Sequence, residues 1–162
     1  MRRATFILLA AAALVLAACT TATPAQNGGS STRTGIDISN VWARPAASAQ
    51  MADAQMGGMS NGAAYMLIRN SGAEADRLLK AESDVAETVE LHTVVNDNGV
   101  MQMRPVDGID VPAGGAAELK PGGFHVMLIG LKRDLKQGDR ITLILQFQRL
   151  GRVSVQADVR QQ

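Results

Sequence analysis

The chain has little of the chemistry on which most enzymes and nucleic-acid-binding proteins rely. Its 162 residues include one cysteine, two histidines, one tryptophan, one tyrosine and three phenylalanines, and its formal net charge is only +1. A single cysteine excludes an internal disulfide. The absence of a basic patch, a glycine-rich phosphate loop and a series of stacking aromatics argues against a nucleic-acid partner. These absences leave a small domain whose chemistry depends on few side chains.

Catalysis is also disfavoured by this composition. A nucleophile activated by a base would require one of the two histidines to lie beside a serine or threonine hydroxyl. Thr93 follows His92 directly, but adjacent residues of a strand point to opposite faces. We therefore expect a binding protein and not an enzyme.

The N-terminus has the pattern of a bacterial secretory signal. Arg2 and Arg3 precede an apolar run over residues 4–18, which is too short to span a bilayer comfortably. The run ends in "LAAC", which resembles a lipobox whose cysteine, Cys19, is lipidated and becomes the mature N-terminus. We predict a signal peptide over residues 1–18 and a domain anchored to a membrane through Cys19, in the periplasm or at the cell surface. A plain cleaved signal is the alternative.

Processing at this point leaves a mature domain with distinctive chemistry. Residues 19–35 are small and polar and form the lipidated N-terminus and a flexible linker, and residues 36–162 form the folded domain. The loss of Arg2 and Arg3 lowers the net charge to about −1 on simple charge counting. With Cys19 lipidated, no thiolate remains as a metal ligand.

The sequence pattern of the folded domain predicts an all-β sandwich or barrel. Alternating segments such as "AAYMLIRN", "RITLILQFQRL" and "RVSVQADVR" are separated by short turn signals. One stretch, residues 73–92, is ambiguous, because its alanine, leucine and glutamate content favours a helix locally. Alternation improves only from Val85 onward.

The first histidine lies in a hairpin whose register decides its neighbours. The Asn-Asp-Asn-Gly sequence at 96–99 favours a tight turn, since these residues tolerate positive φ. With a loop of four residues His92 faces Met103 directly. A two-residue loop at 98–99 pairs Met103 with Val94 and leaves it diagonal to His92 on the same face. Only a three-residue loop sends Met103 to the opposite face.

The second histidine belongs to a strand that also contains a methionine. His125 and Met127 are two residues apart, so both side chains point the same way in a strand. If this pair meets His92 and Met103, two imidazoles and two thioethers would suit a soft ion such as Cu(I). Local spacing does not decide whether they meet, and two packed histidines with core methionines remain the alternative.

The spacing resembles that of the PCuAC family of periplasmic copper chaperones. The family motif is His, ten residues, Met, twenty-one residues, His, any residue, Met, and His92, Met103, His125 and Met127 satisfy every interval. The likeness extends over Ile36 to about Arg160 through "VWARP", "AAYMLIRNSG", "ELHTVVNDNGVMQMRPV" and "PGGFHVMLIGLKRDLKQGD".

The resemblance implies both a fold and a function. The fold is a cupredoxin-like Greek-key β-barrel or sandwich, in which the ambiguous segment is mostly β. The function is delivery of Cu(I) toward the copper A site of cytochrome c oxidase, with subunit II of the oxidase or a thioredoxin-like copper assembly factor as partner and a monomer as the expected state. Copper sequestration or tolerance without delivery is the alternative. Many members have a methionine after the first histidine, where this chain has Thr93.

Four further methionines raise questions of their own. Met101 shares a face with Met103, and we interpret it as a packing residue because the family interval selects Met103. Met51, Met56 and Met59 lie in a loop rich in glycine and alanine. They are candidates for auxiliary metal capture, although we favour a loop with incidental apolar residues.

Overall fold

A computed structural model describes residues 35–48 and 60–161 of the chain. The described residues form ten strands and no helix: β1 Ile36–Ala43, β2 Asn61–Asn70, β3 Asp76–Glu82, β4 Ala86–Asp97, β5 Val100–Pro105, β6 Ile109–Val111, β7 Ala116–Leu119, β8 His125–Leu131, β9 Arg140–Phe147 and β10 Arg152–Val159. Within these ranges no helix is long and apolar enough to cross a bilayer. The all-β prediction is confirmed.

The strands are joined by one continuous path of hydrogen-bonded neighbours. The order is β5-β4-β8-β2-β1-β10-β9-β3-β6, and β7 pairs with β2 beside β8. Every strand pair is antiparallel except β1 with β10. The sheet curls round a single apolar core, to which nine of the ten strands contribute buried residues. Strand β5 is the exception and lies at one end of the path.

The core follows from the period-two pattern of the strands. In β9, Ile141, Leu143, Leu145 and Phe147 are buried, whereas the residues between them are only partly covered. Since alternate side chains of a strand point to opposite faces, this pattern places one face of β9 in the core. Burial of such aliphatic side chains contributes about 1.5–3 kcal/mol each relative to exposure.

The ambiguous stretch over residues 73–92 is β, as the family resemblance implied. It supplies β3 and the first half of β4, with a turn between them. Leu78 and Ala81 are buried on β3, which pairs with β9, and Leu91 is buried on β4, which pairs with β8. The local helix propensity is overridden because these residues fill the core only from strands.

Strands β4, β8 and β2 are neighbours, and their two faces have different roles. The inner face carries the core residues Ala64, Leu91 and Val126. The outer face carries the intervening residues, which include His92 and His125. The fold therefore brings both histidines of the chain to one surface of one sheet.

Candidate metal centre

The two histidines are directly opposite each other on adjacent strands. His92 of β4 is the cross-strand partner of His125 of β8, and Glu90 is the partner of Met127 in the same ladder. Opposite residues of antiparallel strands have Cβ atoms about 4.5–5.5 Å apart. The question that local spacing left open is thus answered, because the His125 and Met127 pair lies beside His92.

Met103 reaches the same surface through the turn of the β4–β5 hairpin. Asn98 and Gly99 both have positive φ, 52° and 87°, as a two-residue hairpin loop of type I′ requires. In the resulting register Met103 faces Val94, and His92 faces Pro105. The two-residue alternative is therefore correct and the four-residue loop is wrong. Met103 lies diagonal to His92 on the outer face.

The imidazole rings are close but differ in their access to solvent. Their centroids are 5.7 Å apart with an interplanar angle of 53°. His125 is only 4 % exposed as a residue, and the side chain of His92 is 12 % exposed. Met103 in contrast is 63 % exposed. The group therefore has a buried part on β8 and an open part on β5.

An open groove of about 330 Å³ adjoins three of these four side chains. Met103, His125 and Met127 line it together with Tyr65, Val94 and Pro121. His92 is not among the lining residues, but its ring lies beside that of His125. The groove supplies a path from solvent to the sulfur and nitrogen atoms.

The backbone of the preceding turn fixes the tautomer of His125. Its Nδ1 lies 3.0 Å from the carbonyl oxygen of Gly123. A carbonyl oxygen only accepts, so a neutral His125 ring donates from Nδ1–H and keeps the lone pair on Nε2. Nε2 is then free to act as a ligand or to accept a proton.

A carboxylate holds the His92 ring through Nε2, whereas the His125 ring is held through Nδ1. Its Nε2 lies 2.7 Å from Oε2 of Glu90, whose side chain is 43 % exposed. The other ring nitrogen, Nδ1, is buried and has no hydrogen-bond partner among the described residues. Buried polar atoms are nearly always paired, so an unpaired nitrogen at this position fits a role as a metal ligand. Glu90 could have been found from the sequence, because it lies two residues before His92 in a strand.

Two aromatic residues extend the row of rings across the sheet. The ring centroids of Trp42 and Tyr65 are 4.5 Å apart, and those of Tyr65 and His125 are 6.4 Å apart. The guanidinium carbon of Arg160 lies 5.8 Å from the centroid of the Trp42 ring. Sequence reasoning missed this row, because each ring comes from a different strand.

The chain segment beside the groove is tied to a loop after β8. Ala46 exchanges two backbone hydrogen bonds with Leu135, at 3.0 and 2.8 Å. The backbone N–H and the hydroxyl of Ser48 both donate to Oδ1 of Asp134, each at 2.8 Å. These two bonds from Ser48 hold the pKa of the Asp134 carboxyl below its usual value. They fix Ala46, which lines the groove.

The donor set suits a soft metal ion. Two imidazoles and two thioethers converge here, and in the described ranges no three His, Cys, Asp or Glu residues are grouped so as to hold a metal ion. Hard cations prefer oxygen donors and structural zinc prefers cysteine, histidine or carboxylate, whereas thioethers select soft ions such as Cu(I). The residues present therefore fit a monovalent copper ion.

Other predicted residues lie elsewhere. Met101 is 59 % exposed, so its interpretation as a packing residue is wrong. Strand β5 is the last strand of the order found among the described residues, and none of its own residues is buried. Met51, Met56, Met59 and Cys19 lie outside the described residues.

Comparison with known proteins places the domain in a family. The LpqE-like family, described as "Putative lipoprotein LpqE-like", matches residues 36–159. The chain is 34 % identical over 114 residues to "Putative lipoprotein Lxx21020" of Leifsonia xyli subsp. xyli; the match covers 70 % of this chain and 62 % of that one. The chain spans about three fifths of the length of the curated relatives it matches.

Two solved structures have the same fold. The copper-bound PCuAC domain from PmoF2 has a TM-score of 0.60 and 25 % identity, and the match covers 79 % of this chain and 94 % of that domain. The Cu(I) form of DR1885 from Deinococcus radiodurans has a TM-score of 0.54 and 31 % identity, with 76 % and 78 % covered. The resemblance to PCuAC domains is thus confirmed, and the chain belongs to the LpqE-like family of PCuAC domains.

Proposed function

We propose that this chain is an extracytoplasmic Cu(I)-binding metallochaperone whose ligands are His92, Met103, His125 and Met127. The observation that carries the proposal is the register of β4, β5 and β8. It sets the two imidazoles opposite each other and brings both thioethers to the same groove. No other arrangement in the described ranges combines these donors.

The chemistry of the donors supports copper as the cargo. Thioether sulfur binds Cu(I) well and hard cations poorly, and imidazole completes a neutral donor set. Copper is also the ion bound in the solved structures from PmoF2 and of DR1885. A blue-copper centre would need a thiolate, and lipidation would consume the only cysteine, Cys19. Binding and transfer of the ion is therefore favoured over electron transfer and over catalysis.

Exposure of one ligand supports transfer. Met103 is 63 % exposed on β5, so a sulfur or nitrogen of a partner could replace it while the buried His125 still holds the ion. Our proposed destination is the copper A site of cytochrome c oxidase, reached through subunit II of the oxidase or a thioredoxin-like assembly factor. This destination rests on the resemblance to PCuAC domains. We expect the carrier to act as a monomer.

Copper sequestration is the second candidate function. The same site would serve tolerance if the ion were held and not passed on. Incubation of the Cu(I)-loaded domain with a soluble copper A domain of oxidase subunit II separates the two functions. Delivery predicts copper in the acceptor after separation of the proteins. Retention of all copper by this domain, with an acceptor that free Cu(I) does load, would favour sequestration.

The location of the protein is part of the proposal. Residues 1–18 would be removed as a signal peptide, Cys19 would be lipidated, and residues 19–35 would link the anchor to the domain at 36–162. The lipoprotein description of the family and of the Leifsonia relative supports this assignment. Fractionation of cells expressing the wild type and Cys19→Ser tests it. The wild type should be found with membranes, and equal distribution of both forms would contradict lipidation.

Anaerobic titration with Cu(I) against a chromophoric chelator tests the site itself. One equivalent should be withdrawn from the chelator, and X-ray absorption should detect both sulfur and nitrogen neighbours. Absence of competition, or a first shell without sulfur, would refute the proposal.

A further inference from the structure

We propose that Glu90 is a positioning residue that fixes the tautomer of His92 and thereby selects Nδ1 of that ring as the atom that binds Cu(I). The inference rests on the proposed function, because it assigns a task within the same site. It concerns a residue outside the four ligands of the motif, and it follows from the hydrogen bonding of the two histidines.

The first step is the direction of the hydrogen bond. An ionised carboxylate only accepts, and Oε2 of Glu90 lies 2.7 Å from Nε2 of His92. The neutral ring must therefore carry its hydrogen on Nε2 and its lone pair on Nδ1. This distance is at the short end for a hydrogen bond to a charged acceptor, which holds the ring firmly.

The second step is the state of the other nitrogen. Nδ1 of His92 is buried and has no partner among the described residues. With a lone pair directed away from solvent and no donor beside it, this atom is prepared for an electrophile. A cuprous ion bound between His92 and His125 would satisfy it.

The backbone of β4 alone does not orient the ring of His92. The backbone of β4 is paired on both sides at this level, with β5 and with β8. The Cα position of His92 is thus fixed, and only the side-chain torsions of the ring remain to be set. Glu90 is two residues away on the same face, so its carboxylate reaches the ring from within the same strand.

His125 provides an internal comparison. Its ring is held through Nδ1 by the carbonyl oxygen of Gly123 at 3.0 Å, which leaves Nε2 free. The two imidazoles thus offer different nitrogens, one selected by a side chain and the other by the backbone. Hydrogen-bond partners of this kind orient a metal-bound histidine and raise its basicity. Only the partner of His92 can be removed by substitution.

Substitution of Glu90 by leucine and by glutamine tests the role. Glu90→Leu removes the acceptor and should lower Cu(I) affinity about 10–100-fold, the range for loss of such a partner. Glu90→Gln keeps a carbonyl acceptor and should recover most of the affinity. Glu74→Leu is the control, since Glu74 lies with Arg149 beyond the other end of β2 and should leave affinity unchanged. Unchanged or higher affinity in Glu90→Leu would overturn the proposal, and higher affinity would identify Glu90 as a competitor for the ring.

A double-substitution cycle distinguishes positioning from a general effect of charge or folding. If Glu90 acts through His92, Glu90→Leu should cause no further loss of affinity in a His92→Ala background. An equal loss in both backgrounds would overturn the positioning role.

The tautomers can be read without copper. Long-range ¹H–¹⁵N spectra of the copper-free domain should give the Nε2–H form for His92 and the Nδ1–H form for His125. Cu(I) is diamagnetic, and its addition should shift Nδ1 of His92 while the Nε2–H is retained. An Nδ1–H form of His92, or copper on Nε2, would refute the role of Glu90. A wild type that does not bind Cu(I) would instead refute the proposed function.

Discussion

The two halves of the metal centre are built differently, although each contributes one histidine and one methionine. The β8 half is part of the packed sheet: His125 is 4 % exposed, and the next residue, Val126, is fully buried in the core. The β4–β5 half ends in a hairpin whose outer strand contributes nothing to the core, and Met103 on that strand is 63 % exposed. For the proposed copper site, the difference predicts a division of labour, in which β8 holds the ion and the β5 side is open to a partner.

The largest effect should follow removal of the buried ligand. Loss of a residue that only hydrogen-bonds a metal ligand lowers metal affinity by up to about 100-fold. His125→Ala removes a ligand itself, so it should lower Cu(I) affinity by at least about 100-fold. It should also destabilise the domain, because it leaves a cavity beside Tyr65 and frees the Gly123 carbonyl. Chelator competition and thermal unfolding measure the two effects. A loss of affinity no larger than that of Met103→Leu would contradict the division of labour.

Met103→Leu should separate binding from folding. Leucine keeps the apolar volume but removes the sulfur. Loss of a ligand should lower Cu(I) affinity more than loss of a residue that only hydrogen-bonds a ligand, so the affinity should fall at least about 10-fold. The free energy of unfolding should change by less than about 0.5 kcal/mol, as is usual at exposed positions.

Met101→Leu is the matched control for that substitution. Met101 lies on the same face of β5 and is similarly exposed at 59 %, so the two changes differ only in position. Its affinity should match the wild type. Equal losses in both variants would mean that β5 has no single ligand and that the family interval selects the wrong methionine.

The stability of the domain should depend on pH through Asp134, which binds the segment of Ala46 and Ser48 beside the groove. Hydrogen bonds from Ser48 lower the pKa of this carboxyl in the folded domain. Its stabilising contribution is therefore present above the ordinary pKa of an aspartate and is lost as pH falls through the lowered value. Asp134→Asn should reduce the loss of stability between about pH 5 and pH 3, near the ordinary aspartate pKa of about 3.9. Denaturant unfolding at several pH values measures this slope, and Asp107→Asn is the control. Identical slopes for wild type and Asp134→Asn would refute the role.

The smallest effect is expected from the methionine loop. Replacement of Met51, Met56 and Met59 together by leucine should leave the Cu(I) stoichiometry and affinity unchanged, in keeping with a loop of incidental apolar residues. Loss of a second bound equivalent in the same anaerobic titration would instead establish auxiliary metal capture.

Local features of the site could be predicted from the sequence, whereas its long-range contacts could not. Alternation gave the same-face placement of His125 and Met127, and turn chemistry reduced the β4–β5 hairpin to a few registers. The helix propensity over residues 73–92 was misleading, because pairing with β8 and β9 decides the conformation there. The direct pairing of His92 with His125 is a long-range contact, which no local pattern contains.

Side-chain detail was the least predictable part. Glu90 could be placed on the face of His92, but its bond to Nε2 and the orphaned Nδ1 depend on torsions that spacing does not define. Met101 is exposed on β5, a strand that contributes no buried residue to the core. An apolar residue in an alternating strand otherwise looks like part of a core.

The pairing of His92 with His125 through a backbone ladder has a thermodynamic consequence. The ladder consists of backbone hydrogen bonds that involve no ion, so we expect little of the binding free energy to be consumed in organising the pocket and expect the empty and loaded forms to unfold from the same native structure. If the proposed function is correct, the domain should release copper without unfolding and should be able to bind it again at once.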